Sequence, residues 1–547
     1  MGAQNKQQNI VHSFALNLFL IASVLITPFY SFEAINLPKF IVLIFFGILA
    51  FMYVLRNLKI VFFYIPKISK ILILGFVAIY LSTFVLSDTP WQQQLYGREN
   101  RRNGLLTYFS LLMLFIIFHL LPYAKFLKVF VNRVTFAGIF VVCYSILQLM
   151  GLDPFKWDSV NLHFFSTLGN PNFLSAYIAI VSVPILTWIY FSLNNSPVYV
   201  RFFSVIFIFV ILLILMFRTY SYQGFISAFA SISVFLLIIV SKIKKRILFF
   251  SLLLLIGAGG IVGLAGTLNS GPLASILYKG SITSRGDFFR SAVNMGNSNF
   301  FGGTGFDSFG DYYLLYRDET AGLRVNGEFT DSAHNYFLDV YATQGLFGLV
   351  FYVLLNLMTL TAFIRLIRLP NSPINTAVLF SIWVAVQVQS LVSPTNFLFS
   401  ILMFSISGFV LGSTSLIEEV PKIGNNSLIL GLGCILALAL SVFPIIRENR
   451  ILTANQSSSP MAYVEALEIF PKSTVGYSRA INLFAQAGLE VQALEISRKA
   501  IKFNERTPAA YAIILTSSLT SDAEKSIAYD TLLRLDPMNP NLKGLQP

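Results

Sequence analysis

A succession of apolar runs, each near the ~20 residues that a helix needs to cross a bilayer, constrains the fold more than any other feature of this chain. Inside a membrane the backbone must satisfy its own hydrogen bonds, and continuous apolar runs of this length predict helices. We predict about thirteen spans and an all-α, polytopic integral membrane protein. The runs lie at 14–31, 38–55, 71–88, 104–122, 129–150, 171–193, 202–217, 224–241, 247–267, 335–364, 374–391, 397–415 and 428–446.

Composition excludes a soluble protein. Of the 547 residues, 56% are hydrophobic and 12% are charged, which is about half the charged fraction of a typical soluble domain. The formal net charge of +13 would suggest a nucleic-acid partner in a soluble chain. Here most Lys and Arg residues lie in short loops between spans, so the excess indicates membrane topology and no nucleic-acid partner.

Basic loop residues predict the orientation of the spans. Cytoplasmic loops of membrane proteins carry an excess of Lys and Arg, and a cytoplasmic N-terminus over residues 1–10 places nearly all of the basic clusters inside. We divide the remainder into a transmembrane domain, 11–446, and an outer tail, 447–547. The outer side then receives membrane-domain loops at 89–103, 151–170, 268–333 and 392–396.

Arginines on the predicted outer face break this charge rule. Arg98, Arg101 and Arg102 stand close together in the first outer loop, WQQQLYGRENRRNG. A planar guanidinium binds phosphate or diphosphate through two parallel hydrogen bonds, so these residues are candidates for a lipid-diphosphate site. Contact with lipid headgroups explains them equally well.

Three further arginines are candidates for the same site. Arg218 interrupts the apolar pattern between two spans, and a charge at that depth is costly enough to indicate function. Arg285 and Arg290 lie early in the large outer loop, in SITSRGDFFR, where Ser284 or Asp287 is expected to cap a short helix. The later run GGTGFDSFG lacks the lysine and the strand-helix context of a phosphate-binding loop, so it gives little support for a nucleotide site.

The segment HNYFLDVYATQGLFG joins the large outer loop to a long apolar run. His334, followed by Asn335, titrates near neutral pH without special tuning and can exchange a proton at a membrane surface. Gly345 and Gly348, three residues apart, are expected on one helix face, where a neighbouring helix or lipid chain can approach closely. The alternative is that His334 caps a helix and that the glycines serve ordinary packing.

These residues resemble the O-antigen ligase and polymerase superfamily of polytopic glycosyltransferases, over roughly residues 10–415. The superfamily includes lipopolysaccharide O-antigen ligases and bacterial protein O-oligosaccharyltransferases. The resemblance rests on three features: the His-Asn, nine residues, Gly-x-x-Gly pattern at 334–348, the pair Ser284-Arg285 in the large loop, and Gly-Asn-Pro at 169–171 before a span.

The resemblance implies glycan transfer without a nucleotide sugar, a metal or another cofactor. The donor would be a glycan on undecaprenyl diphosphate at the outer face of the bacterial cytoplasmic membrane, and the acceptor a lipid, a glycan or a protein. His334 matches the family's essential histidine and would deprotonate or orient the acceptor. Arg285 matches the essential loop arginine and would stabilise the departing diphosphate. Ligase, polymerase and protein glycosylase activities stay open as alternatives.

The resemblance leaves open which arginine binds the diphosphate. Arg218 lies near a further family arginine, but Ser-Tyr-Gln-Gly stands where many relatives have Ser-Arg-Gly, so Arg98 or Arg101 are alternative ligands of the diphosphate.

The competing class is a transporter or flippase for lipid-linked sugars, which predicts charges along a path through the spans and often an internal repeat. The middle of the spans carries few charged residues, and the two halves show no detectable similarity.

The tail after the last span is amphipathic. A polar, Ser-rich connector is expected from Asn449 to Pro460. Small and aromatic residues in the tail resemble a degenerate tetratricopeptide repeat, in which helix pairs stack on one another: Tyr477, Ala480, Phe484, Ala493 and Ala500. The tail is either a plain helical cap or a platform for an acceptor or partner. Helices are expected near 460–470, 473–487, 489–503, 507–519 and 521–535.

Metal binding is not predicted from residue spacing. A metal site needs several ligands brought close together, usually with characteristic short spacings. The four histidines lie in separate segments, at His12, His119, His163 and His334.

Overall fold

The protein is described by a computed structural model. The described residues are 2–28, 33–155, 157, 164–243, 245–277, 280–324, 329–394, 396–414, 427–457 and 459–542; His163 lies outside them. Their regular elements are helical. The α-helices are α1 (Gly2–Val24), α2 (Asn36–Arg56), α3 (Leu58–Tyr64), α4 (Lys67–Leu86), α5 (Trp91–Tyr96), α6 (Leu105–His119), α7 (Tyr123–Leu149), α8 (Pro171–Ser192), α9 (Val198–Arg218), α10 (Gln223–Lys242), α11 (Arg246–Thr267), α12 (Ala274–Leu277), α13 (Gly280–Ser298), α14 (Phe309–Tyr316), α15 (Glu319–Gly322), α16 (Tyr336–Arg368), α17 (Ile374–Ser390), α18 (Phe397–Gly412), α19 (Ser427–Gln456), α20 (Pro460–Leu467), α21 (Thr474–Gln486), α22 (Glu490–Phe503), α23 (Pro508–Thr516) and α24 (Asp522–Leu535).

Thirteen apolar helices within this part of the chain correspond to the thirteen predicted spans. Nine are long and apolar enough to cross a membrane: α2, α4, α7 to α11, α16 and α19. Four are shorter: α6, α17, α18 and the Ile10–Val24 part of α1. The prediction of an all-α, polytopic membrane protein is confirmed.

Helices α6 and α18 form the centre of the bundle. Every residue of α18 is buried, which accounts for a sequence that is apolar on all sides apart from three serines. The two backbones are so close that a Cβ at Gly408 would lie 2.3 Å from the Phe115 carbonyl oxygen. Small residues allow such approach between helices in a membrane.

Contacts between loops show which segments share one end of the bundle. The first outer loop pairs with the large loop through Arg98 and Asp311, whose charged atoms are 3.1 Å apart. It also contacts the tail, because Thr474 Oγ1 donates to Gln93 Oε1 at 2.8 Å. We call this end, which comprises 87–104, 280–324, 329–335 and 391–394, the loop end.

At the opposite end, Lys242 Nζ donates to the Ser372 carbonyl at 2.6 Å. Both residues belong to loops that the charge pattern places in the cytoplasm. The two ends of the bundle are therefore separated as that pattern predicts. Which end faces the cytoplasm stays a prediction.

Helix α16 is interrupted at Gly345, whose φ is 72° and ψ −172°. A Cβ there would lie 2.6 Å from the Phe300 carbonyl oxygen, because the Leu346 N–H donates to that oxygen at 2.8 Å. The expectation that Gly345 and Gly348 share one helix face is therefore wrong. Gly345 supplies a backbone conformation that favours glycine, and only Gly348 lies within the helix that follows.

The glycine-rich run of the large loop terminates the short helix before this break. Thr304 N–H donates to the Ala342 carbonyl at 2.9 Å, and Gly305 N–H donates to the Thr343 carbonyl at 3.0 Å. The last carbonyls of a helix lack donors within the helix, and this run supplies them. Close packing at the helix end accounts for the glycines.

Helix α13 carries Arg285 and Arg290, two arginines of the large loop. It begins upstream, at Gly280, so Ser284 and Asp287 lie inside the helix and the predicted capping role is wrong. Asp287 instead forms an ion pair with Arg290. An apolar cluster joins α13 to α14 and to the start of α16: Phe288, Ala292, Met295, Phe309, Tyr312, Tyr313, Ala333 and Ala342.

The predicted connector before the tail is wrong in extent. Residues 449–456 are helical, because α19 continues to Gln456 and buries Ile451 and Ala454 against the tail. Helices α20 to α24 follow near the predicted positions. The predicted small and aromatic residues lie in the same buried cluster, and the tetratricopeptide resemblance stays a prediction: Tyr477, Ala480, Phe484, Ala493 and Ala500.

The tail is packed firmly on the loop end. Arg317 Nε and Nη2 donate to the two carboxylate oxygens of Asp536 at 3.0 and 2.9 Å. Arg447, on α19, pairs with buried Glu99 of the first outer loop. These buried contacts make the tail part of the structure that supports the loops.

Candidate functional site

His334 lies in a constrained turn immediately before α16. Its φ is 53°, a conformation that costs energy for a residue with a side chain. The next residue, Asn335, caps the helix, since its Oδ1 accepts the N–H groups of Phe337 and Leu338 at 3.0 and 3.2 Å. Asn335 Nδ2 also donates to the Leu391 carbonyl at 3.1 Å. Within the motif, Asn335 is therefore the helix cap, and His334 lies immediately before it.

The imidazole of His334 packs on helix α13. Its ring centroid is 5.5 Å from that of Phe288, at an interplanar angle of 27°. Arg285 precedes Phe288 by three residues, which places the two side chains on the same face of α13. The helix thus brings to one region the two residues that sequence analysis assigned to catalysis.

Arg285 is half-buried and forms no ion pair with any residue that the structure describes. Burial lowers the pKa of its guanidinium, because desolvation disfavours the charged form. Its planar array of donors is well suited to a phosphate group. Arg285 is therefore the strongest candidate at this site for binding an anion from outside the chain.

Two arginines of the first outer loop are engaged by carboxylates. Arg98 pairs with Asp311 at 3.1 Å, and Arg102 pairs with Glu33 in the loop between α1 and α2. Both ion pairs are buried. These contacts tie neighbouring segments of the loop end together.

Arg101 contacts several carboxylates of the large loop and α16. Its Nη1 donates to the Asp331 carbonyl and to Asp331 Oδ1, both at 2.9 Å. Its Nε lies 3.3 Å from Asp307 Oδ1 and its Nη2 lies 4.0 Å from Asp339 Oδ2. Burial alone would raise the pKa of Asp331, but the positive charge of Arg101 and the interaction with His334 contribute to a net lowering. Asp331 is therefore a carboxylate close enough to interact with the imidazole.

The remaining arginine of α13 has carboxylate partners of its own. Arg290 Nε lies 2.5 Å from Asp318 Oδ2, and the guanidinium also pairs with Asp287. These contacts tie α13 to the cap of α15. They leave Arg290 less available to a ligand than Arg285.

Arg218 is the last residue of α9, is exposed, and has no ion pair within the described ranges. The turn that follows leads to Gln223, whose Oε1 accepts from Gln389 Nε2 at 2.9 Å. Two residues after Gln389, the Leu391 carbonyl binds Asn335. These contacts place the Arg218 turn at the loop end.

A small cleft adjoins the His334-Asn335 turn, between α16 and the adjoining ends of α17 and α18. It contains about 350 Å³ of empty space, part of it open to solvent. The rings of Tyr336 and Tyr352 meet edge to face at 4.7 Å along its wall. Aromatic and amide groups in one wall suit an amphipathic ligand. The lining residues are Tyr336, Tyr352, Val386, Gln389, Ser390, Pro394, Asn396, Phe399, Ser400, Met403 and Phe404.

The chemistry available at the site is proton transfer and anion binding. Histidine accepts or donates a proton near neutral pH, and a guanidinium stabilises phosphate charge. In the ranges described above, His, Cys, Asp and Glu side chains form no group of three or more that could hold a metal ion. The fold and this site together define a polytopic membrane protein that presents a histidine and an arginine close to each other outside its long apolar helices.

Comparison with known protein families gives a match over part of the chain. Residues 207–353 match the family model described as O-antigen ligase. This match confirms the resemblance to the O-antigen ligase superfamily over these residues. No curated protein matches the chain.

The matched segment runs from α9 into the second part of α16. Among the predicted site residues it contains Arg218, Arg285, Arg290, His334, Asn335, Gly345 and Gly348, but not Arg98 or Arg101. The match supports a membrane enzyme of the O-antigen ligase or polymerase type, which acts on a lipid-linked glycan.

Sequence analysis missed the acidic partners of the outer arginines. Asp307, Asp331 and Asp339 surround Arg101, while Asp311 and Glu33 pair with its neighbours. A signal was present, because several acidic residues stand in the same predicted outer loops. Their distance along the chain concealed which carboxylate meets which arginine.

Proposed function

We propose that the protein transfers a glycan from undecaprenyl diphosphate to an acceptor at the outer face of the bacterial cytoplasmic membrane. The observation that carries the proposal is the position of Arg285: half-buried, without an ion pair in the described structure, and one turn from the ring that stacks on His334. A lipid diphosphate carries its charge at the headgroup plane and its tail in the bilayer. Arg285 can bind the charged diphosphate of this donor, and His334 lies close enough to Arg285 to accept a proton in the same reaction.

In the proposed reaction, His334 removes the proton from an acceptor hydroxyl as its oxygen attacks the anomeric carbon of the donor glycan. The bond between that carbon and the diphosphate oxygen breaks, and undecaprenyl diphosphate leaves with the bonding electrons. Arg285 stabilises the negative charge that develops on the leaving group. The products are the glycosylated acceptor, undecaprenyl diphosphate and the proton held by His334.

The arginines other than Arg285 differ in how available they are to bind the diphosphate. Arg218 is the second ligand, because it is exposed at the loop end and has no ion pair in the described structure. Arg98, Arg101 and Arg290 already have carboxylate partners. We therefore assign the diphosphate to Arg285 and Arg218.

The tail forms an acceptor platform in this proposal. Asn504, on the tail, donates to Asp311 Oδ2 of the large loop at 3.1 Å, so the tail meets the loop that carries the site. Val491 and Ile527 expose apolar side chains on the tail helices. Replacing these two residues with Ser should change acceptor preference while donor consumption without an acceptor stays the same; unchanged preference would favour a plain structural cap.

Reconstitution tests the central reaction. The full chain in lipid vesicles is supplied with an undecaprenyl-diphosphate-linked oligosaccharide and, separately, with a lipid A-core acceptor, more of the donor itself, or a Ser-rich peptide. We expect release of undecaprenyl diphosphate with one of the three, and that acceptor distinguishes ligase, polymerase and protein glycosylase. Movement of the donor across the vesicle without cleavage would instead indicate a flippase.

Matched variants test the two catalytic assignments. His334→Ala and Arg285→Ala should each abolish transfer, because the proton acceptor or the leaving-group cation is lost. Arg324→Ala is the control: it removes an arginine of the same loop whose partner is Asp287. Transfer retained by the His334 or Arg285 variant would remove that residue from the mechanism.

A further inference from the structure

Arg101 connects two carboxylates that stand on either side of His334 in the chain. Asp331, three residues before the histidine, receives two hydrogen bonds from the Arg101 guanidinium at 2.9 Å. Asp339, five residues after it, lies 4.0 Å from the same guanidinium. One side chain of the first outer loop thus meets both flanks of the turn that presents the imidazole.

Asp339 acts directly on the backbone next to His334. Its Oδ1 accepts the N–H of Ala333 at 2.7 Å, and Ala333 immediately precedes the histidine. The following residue is fixed by the Asn335 cap. The peptide groups on both sides of His334 are therefore held, and this accounts for a residue that keeps a φ of 53°.

We propose that Arg101 is a positioning residue for His334: it holds Asp331 and Asp339 so that the imidazole keeps the place and orientation that proton transfer requires. This inference rests on the proposed function, in which His334 is the base. Arg101 lies in a loop outside the segment that matches the family model. It acts through the carboxylates and does not touch the donor.

The carboxylate of Asp331 has a second effect on the imidazole. A nearby negative charge stabilises the imidazolium that forms when His334 takes up a proton, and a carboxylate that orients a catalytic histidine has the same electrostatic role in other enzymes. The charged groups near the turn include Asp331, Asp339 and Arg101, and Arg98 also acts on Asp331. Arg101 thus fixes the carboxylate in place.

The alternative role for Arg101 is direct binding of the donor diphosphate, and kinetics separate the two. A positioning residue affects the chemical step, since a misplacement of about 1 Å lowers a rate by about 100-fold. A residue that only binds the donor mainly raises KM when it is removed. The split between kcat and donor KM is therefore diagnostic.

The experiment compares Arg101→Gln and Arg101→Lys with the control Arg324→Gln in the vesicle assay, with an undecaprenyl-diphosphate-linked oligosaccharide as donor. We expect Arg101→Gln to lower kcat by about 10- to 100-fold with donor KM changed by less than about threefold. Arg101→Lys should recover part of the loss, because it keeps the charge but lacks the planar fork. A large rise in donor KM with unchanged kcat would overturn the proposal.

A measurement without catalysis makes this test independent of the proposed function. In full-length protein with ¹³C-labelled histidine, the His334 imidazole signal is assigned by its loss in His334→Gln. We expect that signal to shift or broaden in Arg101→Gln and to keep its position in Arg324→Gln. An unmoved signal in Arg101→Gln would overturn the positioning role, whereas active His334→Gln enzyme would overturn the proposed function alone.

A second variant guards against a folding defect in Arg101→Gln. Asp339→Asn keeps an oxygen that can accept the Ala333 N–H but removes the charge that faces Arg101. We expect a lower kcat and a shifted His334 signal, both smaller in extent than for Arg101→Gln. Wild-type values of both in this variant would contradict the proposal.

Discussion

The first outer loop and helix α13 both present arginines at the loop end, but they use them differently. Arg102 is fully surrounded and paired with Glu33, and Arg98 has Asp311. Arg285 is half-buried, yet it forms no ion pair with a carboxylate in the described structure. An arginine with a carboxylate partner supports the architecture, whereas we propose that one without an ion pair among the described residues binds a ligand.

The comparison has an energetic basis. A buried ion pair balances the loss of hydration of its two members, and removing one member leaves an uncompensated charge. A buried cation without such a partner costs folding energy that a bound anion recovers. Loss of the paired group should therefore affect stability, and loss of the unpaired group should affect activity.

Glu33→Gln is expected to give the largest effect of the three variants, as a loss of unfolding free energy. It leaves the buried Arg102 guanidinium without its counter-charge, which costs about 3–5 kcal/mol of unfolding free energy. The apparent Tm of detergent-extracted protein should fall, while kcat per mole of folded enzyme stays near that of wild type. An unchanged Tm would show that this pair does not hold the loop.

Arg285→Ala should give the opposite result. We expect kcat to fall by about 100- to 1,000-fold, the typical loss when one charge-stabilising donor is removed from an active site. The apparent Tm should not fall, because the substitution also removes a desolvated charge that has no described ion-pair partner. A Tm drop as large as that of Glu33→Gln would break the distinction between the two regions.

Asp331→Asn should change stability least. The folded pKa of Asp331 is lowered from the ordinary value of 3.8, because Arg101 outweighs the effect of burial. Its carboxylate therefore contributes stability that is complete above the unfolded pKa and lost as pH falls through the folded pKa. With the side chain 45% exposed, we expect about 1 kcal/mol or less at neutral pH. The Tm difference from wild type should vanish well below pH 3.8; a constant difference would argue against a charge effect.

Prediction from sequence succeeded where the information is local. Length and apolarity of single runs located the thirteen apolar helices, and amphipathic spacing located the tail helices near their observed positions. A motif also selected His334 and Arg285 as candidates; the structure stacks His334 on Phe288 of α13, and the catalytic roles of both residues stay predictions. Each of these inferences needed only neighbouring residues or a motif.

Prediction failed where a partner distant in the chain decides the outcome. Gly345 was expected to lie on the same helix face as Gly348, but the helix is interrupted there and the Phe300 carbonyl accepts the N–H of the next residue. Asp287 was expected to cap a helix that in fact begins earlier, and the stretch after Arg447 was expected to be a connector but remains helical. No local pattern contains these contacts.

The sequence alone determined the class of protein, because the cost of exposing unpaired backbone to lipid leaves long apolar runs few structures other than helices. It also supplied the chemical groups for proton transfer and anion binding. Only the tertiary structure decided which arginines pair with carboxylates and which, such as Arg285, have no ion pair among the described residues. The reason is that electrostatic energy depends on distance and burial, and residues such as Arg101 and Asp331 are brought within hydrogen-bonding distance only by the fold.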